Sequence, residues 1–277
     1  MTNSSATASD GVRAVIFDVS GTVLDYGSRG PVVAFVELFA RHGVMVSEEE
    51  ARRPMGAHKK DHLWAMLTEP AICARWTKAS GQQPTRELLD RLYTEFPAMM
   101  KQAVEKPPHC DLIPGVVEVT RELRRRGIRI ANTTGFDAGM MDKLKQGAVE
   151  AGYSPDLWVT PDLVGQGRPF PWMAFYAARQ LGLFPMSSFV KVGDTIVDVE
   201  EGHNAGMWTV SIVRSGNEVG LSPQQLQALA AAERERVLAA ARQRLQAMKP
   251  HYIIDTVADL LPVIYEISSR IARGERP

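Results

Sequence analysis

Short apolar runs separated by helix-length stretches dominate the chain beyond Gly115. The runs are Ile128–Ala131, Leu157–Val159, Phe189–Val192, Trp208–Val213 and Tyr252–Ile254, and Ala14–Phe17 belongs with them. Apolar runs of this length, bounded by turn residues, read as buried strands. Strands that alternate with helices call for a parallel sheet, because each parallel crossover carries the chain back through a helix that covers one face. The expected fold class is therefore α/β, a doubly wound parallel sheet. The predicted helices of this part run from Val116 through Leu123, near Ala138–Ala151, near Pro171–Leu183, up to about Ala205-Gly206, over Ser222–Met248 and over Thr256–Ala272.

One long interruption breaks the alternation. Between the first strand and Gly115 no convincing strand appears, and residues 27–105 read as helical. Val32, Val33, Phe35, Val36, Leu38 and Phe39 give an apolar first helix. Ser47-Glu48-Glu49-Glu50 has the form of a capping box. Lys59, His62, Leu63, Met66 and Leu67 fall at helical spacings, and Pro84-Thr85-Arg86-Glu87 opens another helix through Phe96. Lys106-Pro107-Pro108 reads as a stiff linker. The expected organisation is a core domain of residues 1–26 and 106–277 with an inserted helical cap domain of residues 27–105. Such a cap could cover the carboxyl edge of the sheet and exclude water.

Composition narrows the partners. The 32 Lys and Arg residues balance 32 Asp and Glu residues, so nothing suggests a nucleic-acid face. A small anionic substrate remains compatible, since it needs only a local positive site. Cys73 and Cys110 form no Cys-x-x-Cys pair, which argues against a zinc or dithiol site. The segment Met1–Gly11 is polar and lacks the apolar centre of a signal peptide, and no run reaches the ~18 apolar residues of a membrane span. A cytoplasmic protein with a frayed N-terminal tail and no membrane partner is expected.

The strand ends carry the candidate chemistry. Asp18 closes the first run and is followed by Val19-Ser20-Gly21-Thr22. A carboxylate at that edge stands where α/β sheets bind ligands, and a glycine-containing turn aims backbone N–H groups at an anion. Thr133-Thr134-Gly135 ends the second strand and Asp194 the fourth, with Asp198 four residues on. Asp18 and Asp194 could share a hard cation such as Mg²⁺. Asp198 could bind a metal water or orient Asp194. Thr134, the Gly135 N–H and Arg168, in the loop Gly165-Gln166-Gly167-Arg168, could hold phosphoryl oxygens. Each residue also has a plainer reading: Asp194-Thr195 as a helix cap, Arg168 as a surface charge, Thr134 as a sheet-edge hydroxyl. Their joint occurrence at strand exits favours the catalytic one.

In this order Asp18, Thr134, Arg168 and Gly193-Asp194-Thr195…Asp198 resemble the four motifs of the haloacid dehalogenase superfamily, over about Val12 to the C-terminus. The resemblance implies a Rossmann-like core, an aspartyl nucleophile at Asp18 and Mg²⁺ held by Asp18, Asp194 and the Ser20 main-chain carbonyl. One position departs. Phosphatases of the superfamily usually carry a second Asp two residues after the nucleophile, and Ser20 stands there. A hydroxyl is a poor general acid near neutral pH.

The inserted segment offers another chemistry. In Met55-Gly56-Ala57-His58-Lys59-Lys60-Asp61-His62, cationic neighbours and partial burial could free the Lys59 amine to attack a carbonyl. His62, one helical turn on, could move protons. The plainer reading is a solvated basic face. Together with Ser20, Gly167-Arg168-Pro169-Phe170-Pro171-Trp172-Met173, Asn204-Ala205-Gly206-Met207-Trp208-Thr209-Val210 and Ser215-Gly216-Asn217-Glu218, this segment is similar to the phosphonoacetaldehyde hydrolase family. That resemblance implies a Lys59 Schiff base, His62 as proton carrier, Met55 and Gly56 in the substrate site, a small phosphonate substrate, a homodimer formed through the cap, and a role in 2-aminoethylphosphonate breakdown. Val19, Ser20 and Phe136 depart from the family's usual residues. A related aldehyde phosphonate, a phosphate monoester turned over by a phosphatase or mutase, and a binding module without catalysis stay open as alternatives.

Overall fold

The computed structural model describes residues 11–277. The segment expected to form a frayed tail lies, up to Asp10, outside the described residues. In chain order the elements are β1 (Ala14–Phe17), α1 (Gly30–Arg41), α2 (Glu48–Arg52), α3 (Lys59–Thr68), α4 (Pro70–Ser80), α5 (Arg86–Val104), α6 (Val116–Arg125), β2 (Arg129–Thr133), α7 (Ala138–Glu150), β3 (Leu157–Val159), α8 (Trp172–Leu181), β4 (Phe189–Gly193), α9 (Ile196–Asn204), β5 (Trp208–Ile212), α10 (Pro223–Ala228), α11 (Ala231–Ala247), β6 (Tyr252–Ile254) and α12 (Leu260–Ala272).

Among the described residues the strands form one six-stranded sheet in the order β3-β2-β1-β4-β5-β6, and every pairing is parallel. The strand order reverses direction between β1 and β4, the place where sheets of this class open a ligand crevice. Register does the rest. Phe17 pairs with Asn132 on one side and Val192 on the other, so the residues that follow β1, β2 and β4 emerge together at one edge.

Every side chain of β1 is buried, as a strand with helices on both faces must be. Alternate residues divide between two cores. Val15 and Phe17 join Val190, Val192 and Trp208 in one cluster, while Ala14 and Ile16 join Ala131, Phe189 and Met173 in the other. The first cluster continues without a break into Phe35, Phe39, Leu63 and Phe96, so α1, α3 and α5 of the inserted segment share a core with one face of the sheet.

Local signals set most helix ends. Ser47 and Glu50 form the expected capping box on α2. The α5 helix starts at Arg86, inside the expected opening segment, with Thr85 accepting from the Leu88 N–H, and it runs past Phe96 and through Pro97 to Val104. Its buried stripe of Leu88, Leu92, Phe96, Met99 and Met100 outweighs the one backbone bond that a proline removes. Two details differ from the sequence reading. The expected tract over 222–248 is two helices, because Leu229 and Ala230 take extended backbone between them. The closing helix starts at Leu260, preceded by a short 3-10 turn that Thr256 and Asp259 cap. No helix among the described residues is long and apolar enough to cross a membrane.

Candidate active site

Asp18 leaves the end of β1 and is 3% exposed. The turn behind it is tight for a specific reason. Gly21 has a φ of +86°, and a Cβ there would stand 2.2 Å from Asp194 Oδ2. Glycine alone allows both the backbone angle and the approach of the second carboxylate. Asp194 follows β4 and is fully buried. Its Oδ1 accepts from the Thr22 hydroxyl at 2.9 Å and its Oδ2 from the Asn217 N–H at 2.8 Å. Oxygens of Asp18, Asp194 and Asp198 all lie within 4.8 Å of one another.

Burial pushes the Asp194 carboxyl well above the usual carboxylate range, and the nearby Asp18 and Asp198 push it further. Burial also raises Asp18, against the pull of the Arg168 guanidinium. Asp198 behaves differently: burial would raise it, but Arg168 and Lys191 hold it down to about 2. Three buried carboxylates, Asp18, Asp198 and Glu201, pair with the buried cations Arg168 and Lys191, while the fourth, Asp194, pairs with no cation among the described residues. Hard oxygen donors with surplus negative charge, two of them destabilised as anions, fit a divalent cation such as Mg²⁺.

Asp198 grips its neighbours rather than Asp194. Its Oδ2 accepts from the Thr195 N–H at 3.1 Å and the Thr195 hydroxyl at 2.5 Å, and its Oδ1 meets Lys191 Nζ at 3.0 Å and the Arg168 guanidinium. Arg168 also donates to Asp18 Oδ1 at 2.8 Å. The residue expected on the surface under the plainer reading is thus 4% exposed and bound to the nucleophile candidate. Its Nε has no partner among the described residues, which leaves a donor free for an oxyanion. Thr134 is buried beside it, and its hydroxyl accepts from the Phe136 N–H at 3.2 Å.

The inserted segment closes over this edge, backbone against backbone. Cβ atoms on Gly135 and Gly56 would stand 2.3 Å from the Ala57 carbonyl oxygen and 2.4 Å from the Thr195 hydroxyl. Lys59, at the first turn of α3, is 3% exposed. Its Nζ lies 4.9 Å from the Phe136 ring centroid and 4.0 Å from Met55 Sδ. Burial lowers its pKa to about 8, helped by Arg168. The cation that matters is therefore one from the core, not the neighbours on its own helix that the sequence pointed to. His62 is fully buried, stacked on Phe35 at 3.8 Å, and bonds the Ala51 carbonyl through Nε2 at 2.9 Å. The bond to a carbonyl makes Nε2 the donor and leaves Nδ1 with a lone pair. That Nδ1 has no partner among the described residues. Burial, then Lys59, holds the ring well below the usual imidazole range and hence neutral.

Asp18, Ser20, Met55, Gly56, Lys59, Thr134, Gly135 and Arg168 line one small chamber. A cleft of about 860 Å³ opens beside it and shares Met55, Arg168 and Thr195 with it. The chamber brings together a carboxylate, oxyanion donors and an amine whose pKa is lowered to about 8. It can support attack at phosphorus with imine formation on the same small molecule.

Several residues of the site escaped sequence reasoning. Lys191 Nζ, inside β4, reaches Thr133 Oγ1 at 2.6 Å and Glu201 at 2.8 Å. A lysine between Val190 and Val192 was the available signal. Asp25, buried with a φ of 59°, accepts from the Ser20 hydroxyl at 2.8 Å and meets His109 Nδ1 at 3.0 Å. The hydroxyl at the departing position is thereby committed to a second carboxylate. Asp137 joins the two halves of the molecule, meeting His58 Nε2 at 2.8 Å and accepting from the Tyr93 hydroxyl at 2.5 Å.

A family model described as haloacid dehalogenase-like hydrolase matches residues 12–206. The chain is 41% identical over 266 residues to the phosphonoacetaldehyde hydrolase of Nitratidesulfovibrio vulgaris, covering 96% of this chain and 94% of that protein. It is 42% identical over 266 residues to the phosphonoacetaldehyde hydrolase of Paraburkholderia xenovorans, covering 96% and 99%. A crystal structure of a phosphonoacetaldehyde hydrolase-like protein from Oleispira antarctica superposes with a TM-score of 0.94 at 41% identity over 100% of both chains.

Proposed function

This chain belongs to the haloacid dehalogenase-like hydrolases and, within them, to the phosphonoacetaldehyde hydrolase family, and from that premise we propose that it hydrolyses the phosphorus–carbon bond of phosphonoacetaldehyde to acetaldehyde and phosphate. The observation that carries the reading is the buried Lys59 amine, lowered to about 8, in one chamber with Asp18 and Arg168. A monoester phosphatase has no use for a free amine there. A phosphorus–carbon bond does, because its departing carbon needs an electron sink.

The chain's residues divide the work as follows. The unprotonated Lys59 attacks the aldehyde carbon, and loss of water gives the imine. Asp18 attacks phosphorus. The phosphorus–carbon bond breaks, and its electron pair moves into the carbon–nitrogen system to leave an enamine on Lys59. Arg168, Thr134 and the Gly135 N–H hold the phosphoryl oxygens. Asp18, Asp194 and the Ser20 main-chain carbonyl would hold Mg²⁺, which would supply charge neutralisation at the phosphoryl group. His62 Nδ1 takes and returns the proton needed at the enamine carbon. Water then hydrolyses the imine, which releases acetaldehyde, and the aspartyl phosphate, which releases phosphate. Residues 27–105 act as the cap that keeps bulk water out, and the same segment forms the contact of a homodimer.

The test is a coupled assay of acetaldehyde release, read as NADH oxidation by alcohol dehydrogenase, with phosphate measured in parallel. Equal amounts of both products are expected with Mg²⁺. Hydrolysis of generic aryl phosphates that persists in Lys59→Ala, without acetaldehyde from the phosphonate, overturns the reading in favour of a monoester phosphatase.

A further inference from the structure

The segment Ser215-Gly216-Asn217-Glu218 has no part in the chemistry above, yet it touches the nucleophile loop, Asp194 and the inserted helices. Ser215 donates its hydroxyl to the Gly21 carbonyl at 2.7 Å, behind the nucleophile loop, and accepts from the Gly27 N–H at 2.7 Å, where the chain leaves for the inserted helices. The Asn217 N–H holds Asp194 Oδ2 at 2.8 Å. The Asn217 side chain reaches Arg52, the last residue of α2, through both Oδ1 and Nδ2, and its Nδ2 also lies 3.4 Å from Glu218 Oε1.

Arg52 is anchored from several directions. Its guanidinium donates to the Gly27 carbonyl at 2.7 Å, the Ser28 carbonyl at 3.3 Å, Asn217 Oδ1 at 3.3 Å and the Gly220 carbonyl at 3.0 Å. Its own carbonyl accepts in return from Asn217 Nδ2 at 3.3 Å and from the Met55 N–H at 3.0 Å. Its side chain is only 13% exposed, and the one carboxylate within 4 Å of it among the described residues, Glu48, lies 3.9 Å away and is 74% exposed. A guanidinium buried mainly against carbonyls does little as a charge pair. Its rigid fork fixes geometry. Three to seven residues further along the chain come Met55, Gly56 and Lys59, which line the chamber.

We propose that Arg52 and Asn217 are positioning residues that lock the Lys59-bearing segment over Asp18 and tie its placement to the loop that holds Asp194. The inference rests on the imine reading of the site. It adds that the amine's aim is set from α2, by contacts that touch neither substrate nor metal. Arg52 and Asn217 face each other across the boundary between the inserted helices and the sheet. Opening that boundary must break the Arg52 fork, and closing it restores Met55, Gly56 and Lys59 to one register. A misplacement of about 1 Å in such an arrangement costs up to about a hundredfold in rate.

The experiment measures the rate at which borohydride fixes a phosphonoacetaldehyde adduct on Lys59, by peptide mass, in the full-length Mg²⁺-loaded protein and in Arg52→Ala, Arg52→Lys and Asn217→Ala. Binding of inorganic phosphate, which reports the core half of the site, is measured alongside. Arg52→Ala is expected to slow adduct formation about tenfold to a hundredfold, with phosphate affinity within about twofold and Arg52→Lys intermediate. Asn217→Ala, which keeps its backbone bond to Asp194, should show a smaller loss of the same kind. Adduct formation at the wild-type rate in both alanine variants overturns the proposal. So does a parallel fall in adduct formation and phosphate binding that lysine does not relieve, since that pattern marks general loosening. A wild-type protein that forms no Lys59 adduct sinks the imine reading itself, which is a separate result.

Discussion

The carbonyl oxygen of Ala57 occupies the place where a side chain on Gly135 would begin, 2.3 Å from the ideal Cβ position. The inserted segment and the core loop after β2 therefore meet without any side chain between them. Gly135→Ala should force the two apart at a cost of about 1–3 kcal/mol. The sheet lies below the contact and should fold as before. The expected outcome is a protein with wild-type circular dichroism, a lower melting temperature and strongly reduced acetaldehyde release. Unchanged turnover in that variant would show that the contact is not needed in the working enzyme.

Lys59 sets a pH dependence of known sign. Imine formation needs the free amine, and burial brings that amine's pKa to about 8. Adduct formation on Lys59 should thus rise with pH through about 8 and level off above it, rather than climb toward the ordinary lysine range near 10.5. Lys59→Arg keeps the charge, cannot form the imine, and should lower phosphonate turnover by at least about a thousandfold. A profile still rising at pH 10 would mean that the amine is hydrated in solution.

The crowded carboxylates predict an effect of the cation on stability. Asp194 is buried next to Asp18 with no cation on either of its oxygens. Mg²⁺ that binds only the folded protein at about a hundred times its dissociation constant adds about 2.7 kcal/mol. For a chain of this size that is a rise of roughly 5 °C in melting temperature. Asp194→Asn removes one like charge, keeps one oxygen to accept from the Asn217 N–H, and presents an amide donor to the Thr22 hydroxyl, which must rotate to accept it. It should melt no lower than the wild-type protein in chelator and lose most of the Mg²⁺ response. An equal response in both proteins would move the cation elsewhere.

How much of this the sequence revealed follows from the range of the forces involved. The strands and their ends were legible because apolar runs and turn residues act locally: Asp18, Thr134 and Asp194 stand at the edge that β1, β2 and β4 create. Lys59 was legible as a residue but not in its environment. Its neighbours in sequence, His58 and Lys60, pointed to a basic helix face, while Arg168, far along the chain, supplies the cation that matters. Lys191 and Glu201 stayed hidden because their pairing appears only when β4, β2 and α9 pack. Arg52 was hidden for the same reason, since its carbonyl partners belong to Gly27, Ser28 and Gly220. Long-range polar contacts leave almost no periodic trace in a sequence, whereas burial of apolar faces does.

A last prediction concerns acid stability away from the site. His251 Nδ1 accepts from the Thr209 N–H at 3.1 Å and lies 2.8 Å from the Thr209 hydroxyl. Protonation would place a second N–H against that donor. Burial, with His203 and Arg270 nearby, brings the pKa of His251 down to about 4 from the usual 6.5. The unfolded chain then binds a proton that the folded chain refuses between those two values, so stability rises with pH across that window and is lost as pH falls through it. Chemical denaturation at steps from pH 7 to pH 4 should show this slope. His251→Phe, which fills the space against Trp208 and cannot titrate, should flatten it while lowering stability at pH 7 through the loss of the Thr209 acceptor. The same slope in both proteins would show that His251 is not its source.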